Sequence, residues 1–154
     1  KAQSKTQTLL AIYIDLAKVT DTNKANGVSM EVKIIQENNK NIAIVNSDKP
    51  LITDVQSSLD FMATIHYEYG CDNVIIDKEA ISEEFFDLKT RMAGEILQKF
   101  VTYQMRIAII GDFSVYSSKS LRDFIYESNK GQHIFFLSDE RQAIDQLKRG
   151  NNGD

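Results

Sequence analysis

From Met30 onward the apolar residues alternate between the period of a strand and that of a helix. "EVKIIQENNKNIAIVN" reads as two short strands about a polar Asn-Asn-Lys centre, a hairpin signal. "SDKP" follows, with Ser47 or Asp48 placed to cap a helix and Pro50 near its first turn. Val55, Leu59, Met62, Ala63 and His66 then recur at helical spacing, and Gly70 ends the run. "NVIID" (73–77) predicts a short buried strand. Residues 83–103 predict the longest helix, with Leu88, Met92, Ala93, Ile96 and Phe100 on its inner face and Leu97 and Val101 widening it. "MRIAII" (105–110) is another buried strand. Leu121, Phe124, Ile125 and Ser128 mark a helix that stops at Gly131. "HIFFL" (133–137) closes the strands, and Ala143, Ile144 and Leu147 mark a final helix.

The order ββαβαβαβα predicts an α/β fold whose mixed, mostly parallel sheet has about five strands, with helices packed against it and an antiparallel edge from the hairpin. Ahead of it, "TLLAIYIDLA" places Leu9, Ile12, Tyr13 and Leu16 on one helical face, although its β-branched and aromatic content fits a strand almost as well. Residues 17–29 are small and polar, like a linker. The expected organisation is an appended segment over 1–29, a domain over 30–149 and a polar tail over 150–154. The appended segment either packs on the domain, or is the end of an upstream module or a self-association element, the last of which would make a homodimer.

Composition narrows the class. At 154 residues, 42% apolar and 26% charged, the chain suits one soluble domain with one ordinary core. No apolar run approaches the roughly 20 residues of a membrane helix, and a single cysteine, Cys71, favours a reducing cytoplasm. The net charge of −4 argues against nucleic acid and anionic membranes as partners. The charge is uneven: residues 1–29 hold four lysines and two aspartates, and the remainder is acidic.

In open parallel sheets ligands gather beyond the carboxyl ends of the strands. Here those ends carry Asp77-Lys78 and Gly111-Asp112, the second opening the polar stretch "GDFSVYSSKS". Asp77 and Asp112 are hard oxygen donors on neighbouring loops and could share a divalent cation. A receiver-like phosphoryl-transfer site would also want a lysine after the last strand, where "LSD" stands instead. No Gly-x-Ser-x-Gly elbow and no phosphate-cradling Gly-x-x-x-x-Gly-Lys loop occurs. His66 sits in a helical apolar stripe and His133 opens a strand; Cys71, beside Asp72, reads as an inert thiol. No cofactor is expected.

The closing stretch "LRDFIYESNKGQHIFFLSDERQAIDQL" and the element order resemble the STAS domain, the fold of bacterial anti-sigma-factor antagonists. More closely, "LITDVQSSLDFMATIHYEYGCD", "EEFFDLKTRMAGEILQKF" and "GDFSVYSSKSLRDFIYESNKG" resemble an uncharacterised bacterial family, domain-of-unknown-function family 4180, over about residues 31–148. The STAS resemblance implies a regulatory module switched by phosphorylation of a serine in an Asp-Ser-Ser-Gly motif at the start of a helix, where added negative charge abolishes docking. That motif falls on "FFDLKTRMAG": Asp87 matches, but Leu88 and Lys89 replace the serines and Thr90 is displaced by one place.

The reading is therefore a cytoplasmic, non-enzymatic regulatory or protein-interaction module. Its expected surface joins Asp87, Lys89 and Thr90 to Asp112, Phe113, Ser114, Tyr116, Ser117 and Ser118. Ser117 or Ser118 is expected to cap the following helix, and Ser120 with Asp123 to form a capping box. Phe113 should tuck beneath the loop and Tyr116 should present its ring and hydroxyl to solvent. The alternative is a nucleotide- or divalent-metal-binding protein using Asp77 and Asp112.

Overall fold

The computed structural model describes residues 21–23 and 30–150. Most of the amino-terminal segment, including the apolar run at 8–17, and residues 151–154 lie outside them.

Strands β2 (Met30–Glu37) and β3 (Lys40–Ser47) form the expected hairpin, with Glu37 paired to Lys40 across a two-residue turn. Asn38 and Asn39 both take positive φ, 52° and 65°, as the tight hairpin turns that match strand twist require. Asparagine tolerates that region better than most residues. β4 (Asn73–Asp77), β5 (Arg106–Ile110) and β6 (Ile134–Leu137) continue the sheet in parallel from β3. The expected five strands are joined by a sixth: β1 (Asp21–Asn23), within the stretch read as linker, pairs antiparallel with β2. The strand order is β1-β2-β3-β4-β5-β6, without reversal.

Helices α1 (Val55–Ala63), α2 (Met92–Thr102), α3 (Lys119–Asn129) and α4 (Glu140–Leu147) pack against this sheet. Alternate strand residues feed two cores. Val74, Ile76, Ile107 and Ile109 meet α1, α2 and α3 through Phe61, Ile96, Phe100 and Leu121, joined by Ile65 just past α1. Ile42, Ile75, Ala108 and Phe135 meet α4 through Ala143 and Leu147. Three crossover helices on one face is what right-handed connections impose on an unreversed strand order.

Two helix boundaries differ from expectation. α1 begins at Val55, not after Pro50. Ile52 bridges in parallel to Ile81, and the backbone N–H groups of Leu51 and Ile52 both donate to Ala80 O, holding that stretch extended. Asp54 then caps the helix, reciprocated by Ser57 in a capping box. The long helix expected from residue 83 begins only at Met92. Glu83–Phe86 and Leu88–Thr90 are short 3₁₀ turns, each started by a polar side chain, and Arg91 at φ 66° breaks the run. Met92, Ala93, Ile96 and Phe100 are buried as expected, Leu88 is half-buried, and Val101 is exposed.

Arg106 fixes α4. This arginine is buried, and its guanidinium donates to the carbonyl oxygens of Gln132, Leu147 and Arg149 at 2.9, 3.1 and 2.9 Å.

Candidate functional site

The loops beyond the carboxyl ends of β4 and β5 are built from one device repeated. A polar side chain accepts the N–H two or three residues ahead and folds the chain into a tight turn. Asp77 accepts from Glu79, Ser82 from Glu84, Asp87 from Lys89, Asp112 from Ser114 and Ser118 from Leu121. Ser118 is thus the α3 cap. The capping box expected from Ser120 and Asp123 is absent; Asp123 instead pairs with Lys119 at 2.8 Å.

Phe86 brings two of these turns together. Its ring stacks on Tyr116, centroids 4.9 Å apart and planes 16° from parallel, and contacts Phe113 at 6.1 Å. Phe113 also meets Phe136 edge-on at 5.4 Å, so it tucks back toward the core as expected. Tyr116 does not face solvent. It is half-buried, its hydroxyl donates to the Glu83 carboxylate at 3.1 Å, and it accepts from Lys78 Nζ at 3.3 Å. The stacking and these two bonds turn the ring inward; Val115 is the loop's exposed apolar residue, at 64%.

Lys78 is the site residue that the sequence pattern did not disclose. Its side chain is only 15% exposed and its Nζ lies 3.9 Å from Glu79 and 4.0 Å from Glu83. It crosses directly over Gly111, where a Cβ would stand 2.7 Å from its Cδ. A glycine immediately after a buried strand was the available signal. Burial disfavours the Lys78 ammonium, but the Tyr116 hydrogen bond and the charges of Tyr116, Glu83 and Glu79 outweigh it and leave its pKa raised. Burial raises the Tyr116 phenol, against the pull of Lys78. Hydrogen bonds from the Ser114 hydroxyl, at 2.6 Å, and the Ser114 backbone hold Asp112 below the usual carboxylate range.

The expected surface is therefore assembled in part. Asp112, Phe113, Ser114 and Tyr116 belong to one loop joined to the Glu83–Phe86 turn, with Ser117 and Ser118 exposed beyond it. Asp87 and Lys89 are exposed on the next turn. The Thr90 hydroxyl shares its one proton between Glu84 O and Asp87 O and accepts from the Met92 N–H, so it terminates that turn and opens α2. Asp77 and Asp112 each serve their own turn, and among the described residues no group of three or more His, Cys, Asp or Glu could hold a metal ion. Cys71 is buried. His66 lies outside the core, with Nδ1 2.5 Å from Asp72 Oδ1. Burial, then the charge of Arg106, holds His133 below the ordinary histidine value.

The family model for domain of unknown function DUF4180 matches residues 37–147. The chain belongs to that family. No curated protein and no solved structure matches it. No helix among the described residues is long and apolar enough to cross a membrane.

Proposed function

We propose that the protein is a non-enzymatic regulatory module of STAS-like architecture, acting in the cytoplasm by docking a protein partner on the loops beyond β4 and β5. One observation carries this reading: the polar side chains there are engaged within the loops, with Asp77, Ser82, Asp87, Asp112 and Ser118 accepting from the loops' own backbone and Lys78, Tyr116 and Glu83 bonding one another. Such a site offers little convergent reactivity. It offers a rigid shape, and a surface ordered before binding loses less entropy when a partner docks. Val115 is exposed on the loop after β5, and Glu83, Lys89 and Ser117 are exposed on the same set of loops.

The element order, a hairpin followed by parallel strands with a helix after each, is the one that suggests the anti-sigma-factor antagonists. The phosphoswitch of those proteins would need another residue here, because Leu88 and Lys89 occupy the serine positions and the Thr90 hydroxyl is engaged in three hydrogen bonds.

The test compares wild type with Val115→Glu, each purified from the native host. A surface substitution of this kind leaves stability within about 0.5 kcal/mol. Wild type should retain one protein in near-stoichiometric amount, and the variant should lose it at unchanged Tm. An identical partner set for both proteins overturns the docking face. A parallel thermal-shift screen with nucleotides and divalent cations should leave Tm unchanged; a rise would favour the strand-end aspartates as a ligand site instead.

A further inference from the structure

The apolar stripe legible in α1 does not all serve the core. Met62 of that stripe packs against the sheet beside Phe61 and Ile65, which lie outside it, whereas Ala63 and His66 of the stripe are exposed. With Leu59 and Met62 they line an open hollow of about 310 Å³. Its other wall is Tyr103, at the end of α2, and Met105, just before β5. The hollow therefore lies at the amino ends of the parallel strands, at the opposite end of the sheet from the loops carrying Lys78 and Tyr116.

Three further features mark this place. The helix continues past Ala63 as a π turn over Thr64–Glu68, a widened geometry that recurs at functional sites. Two tyrosines flank the hollow with their side chains largely uncovered, Tyr67 at 82% and Tyr103 at 61%. His66 sits on the wall with Nδ1 held by Asp72 at 2.5 Å and its ring edge-on to Tyr67 at 4.7 Å.

We infer that this hollow binds a small, uncharged, flat aromatic molecule that carries one hydrogen-bond donor. Its volume stands at the lower end of small-molecule sites, which run from about 300 Å³ upward. The lining selects rings: tyrosines favour stacked or edge-on aromatics, and the thioethers of Met62 and Met105 favour ring edges. His66 supplies the polar anchor. The Asp72 contact at Nδ1 fixes the ring's orientation, and in the tautomer that carries its proton on Nδ1 the Nε2 atom is the acceptor. The Asp72 carboxylate beside His66 disfavours carboxylate ligands. The inference does not rest on the proposed docking loops.

Indole is a suitable probe, followed by ¹H–¹⁵N NMR of the full chain. Saturable shifts are expected at Leu59–Glu68 and Tyr103–Met105. N-methylindole, which lacks the donor, should bind roughly threefold more weakly, the effect of one modest hydrogen bond, and indole-3-carboxylate more weakly still. Ala63→Trp, an exposed position on the wall, should abolish saturation while the rest of the spectrum stays native. Absence of saturable shifts with indole, or unaltered indole binding by Ala63→Trp, overturns the site. Equal affinity for indole and N-methylindole overturns the assigned chemistry, and because that comparison uses only wild type it holds even if a variant fails to fold.

Discussion

The ring of Tyr116 lies on the ring of Phe86, 4.9 Å between centroids and 16° from parallel. This contact joins two loops that are separate in sequence, and the Tyr116 hydroxyl strengthens it by bridging Glu83 and Lys78. Tyr116 is thus a fastener of the surface more than a contact upon it. Removing the ring with Tyr116→Ala should destabilise by about 2 kcal/mol, below the full value for a buried aromatic because the residue is half-buried. Tyr116→Phe keeps the stack and should lose only about 1 kcal/mol. Urea denaturation of both variants measures this. Equal losses would place the stabilisation in the hydroxyl and not in the stack.

The same hydroxyl has a pH signature. Burial raises the Tyr116 pKa above the ordinary tyrosine value, so the folded protein holds that proton more tightly than the unfolded chain. The stability so contributed is fully present below about pH 10, the ordinary tyrosine value, and is lost as pH rises through the folded pKa. The ultraviolet difference titration between wild type and Tyr116→Phe should therefore have its midpoint above the ordinary value. A midpoint below it would mean that the Lys78 charge dominates burial.

Gly111 is required by its neighbour. A Cβ there would meet Lys78 Cδ at 2.7 Å and Cγ at 2.8 Å, so Gly111→Ala must push the lysine off its course. The substitution should destabilise by about 1 kcal/mol, as mild overpacking does. In a Lys78→Ala background most of that loss should vanish, since the obstructing Cγ and Cδ are gone. A double-mutant cycle gives the coupling directly, and additive losses would show that the lysine is not what excludes a side chain at 111.

These relationships explain what could be read in the chain and what could not. The Asn38-Asn39 turn and the buried runs of β4 and β5 are local signals, and the structure follows them. The start of α2 was not legible, because residues 83–91 keep a helical apolar period while Ser82 and Asp87 draw the same backbone into short turns. The orientation of Tyr116 depends on Glu83, 33 residues away, and on Phe86. No periodicity reports such a pairing. The placement of Lys78 likewise needed the register of β4 against β5, which sets Asp77 opposite Ile110 and hence Lys78 beside Gly111.

The α2 face permits a sharp contrast. Ile96 is 1% exposed and Val101 39%. Ile96→Ala should cost about 2–5 kcal/mol through lost burial and the cavity left behind. Val101→Ala, although its spacing widens the same face, should stay within about 0.5 kcal/mol. Thermal denaturation distinguishes them, and comparable losses would mean that the α2 core face extends round to Val101.

Arg106 provides the last prediction. Its guanidinium is buried, burial lowers its pKa, and it lies over the Phe135 ring at 5.4 Å. It donates to the Asn73 side chain and to backbone carbonyl oxygens, including Leu147 O and Arg149 O at the end of α4. Cations are stabilised at helix carboxyl ends, where unpaired carbonyls gather. This position therefore ties α4 to β5 and seals the second core around Ala143 and Leu147. Arg106→Met keeps most of the apolar stem but strips those carbonyls of their donor, and should destabilise by about 3 kcal/mol, the scale of leaving buried polar groups unpaired around a lost charge. Hydrogen exchange should show the loss concentrated in α4, with α1 and α2 following only on global unfolding. If α4 keeps its protection while the whole domain weakens, Arg106 stabilises the sheet and not the helix it caps.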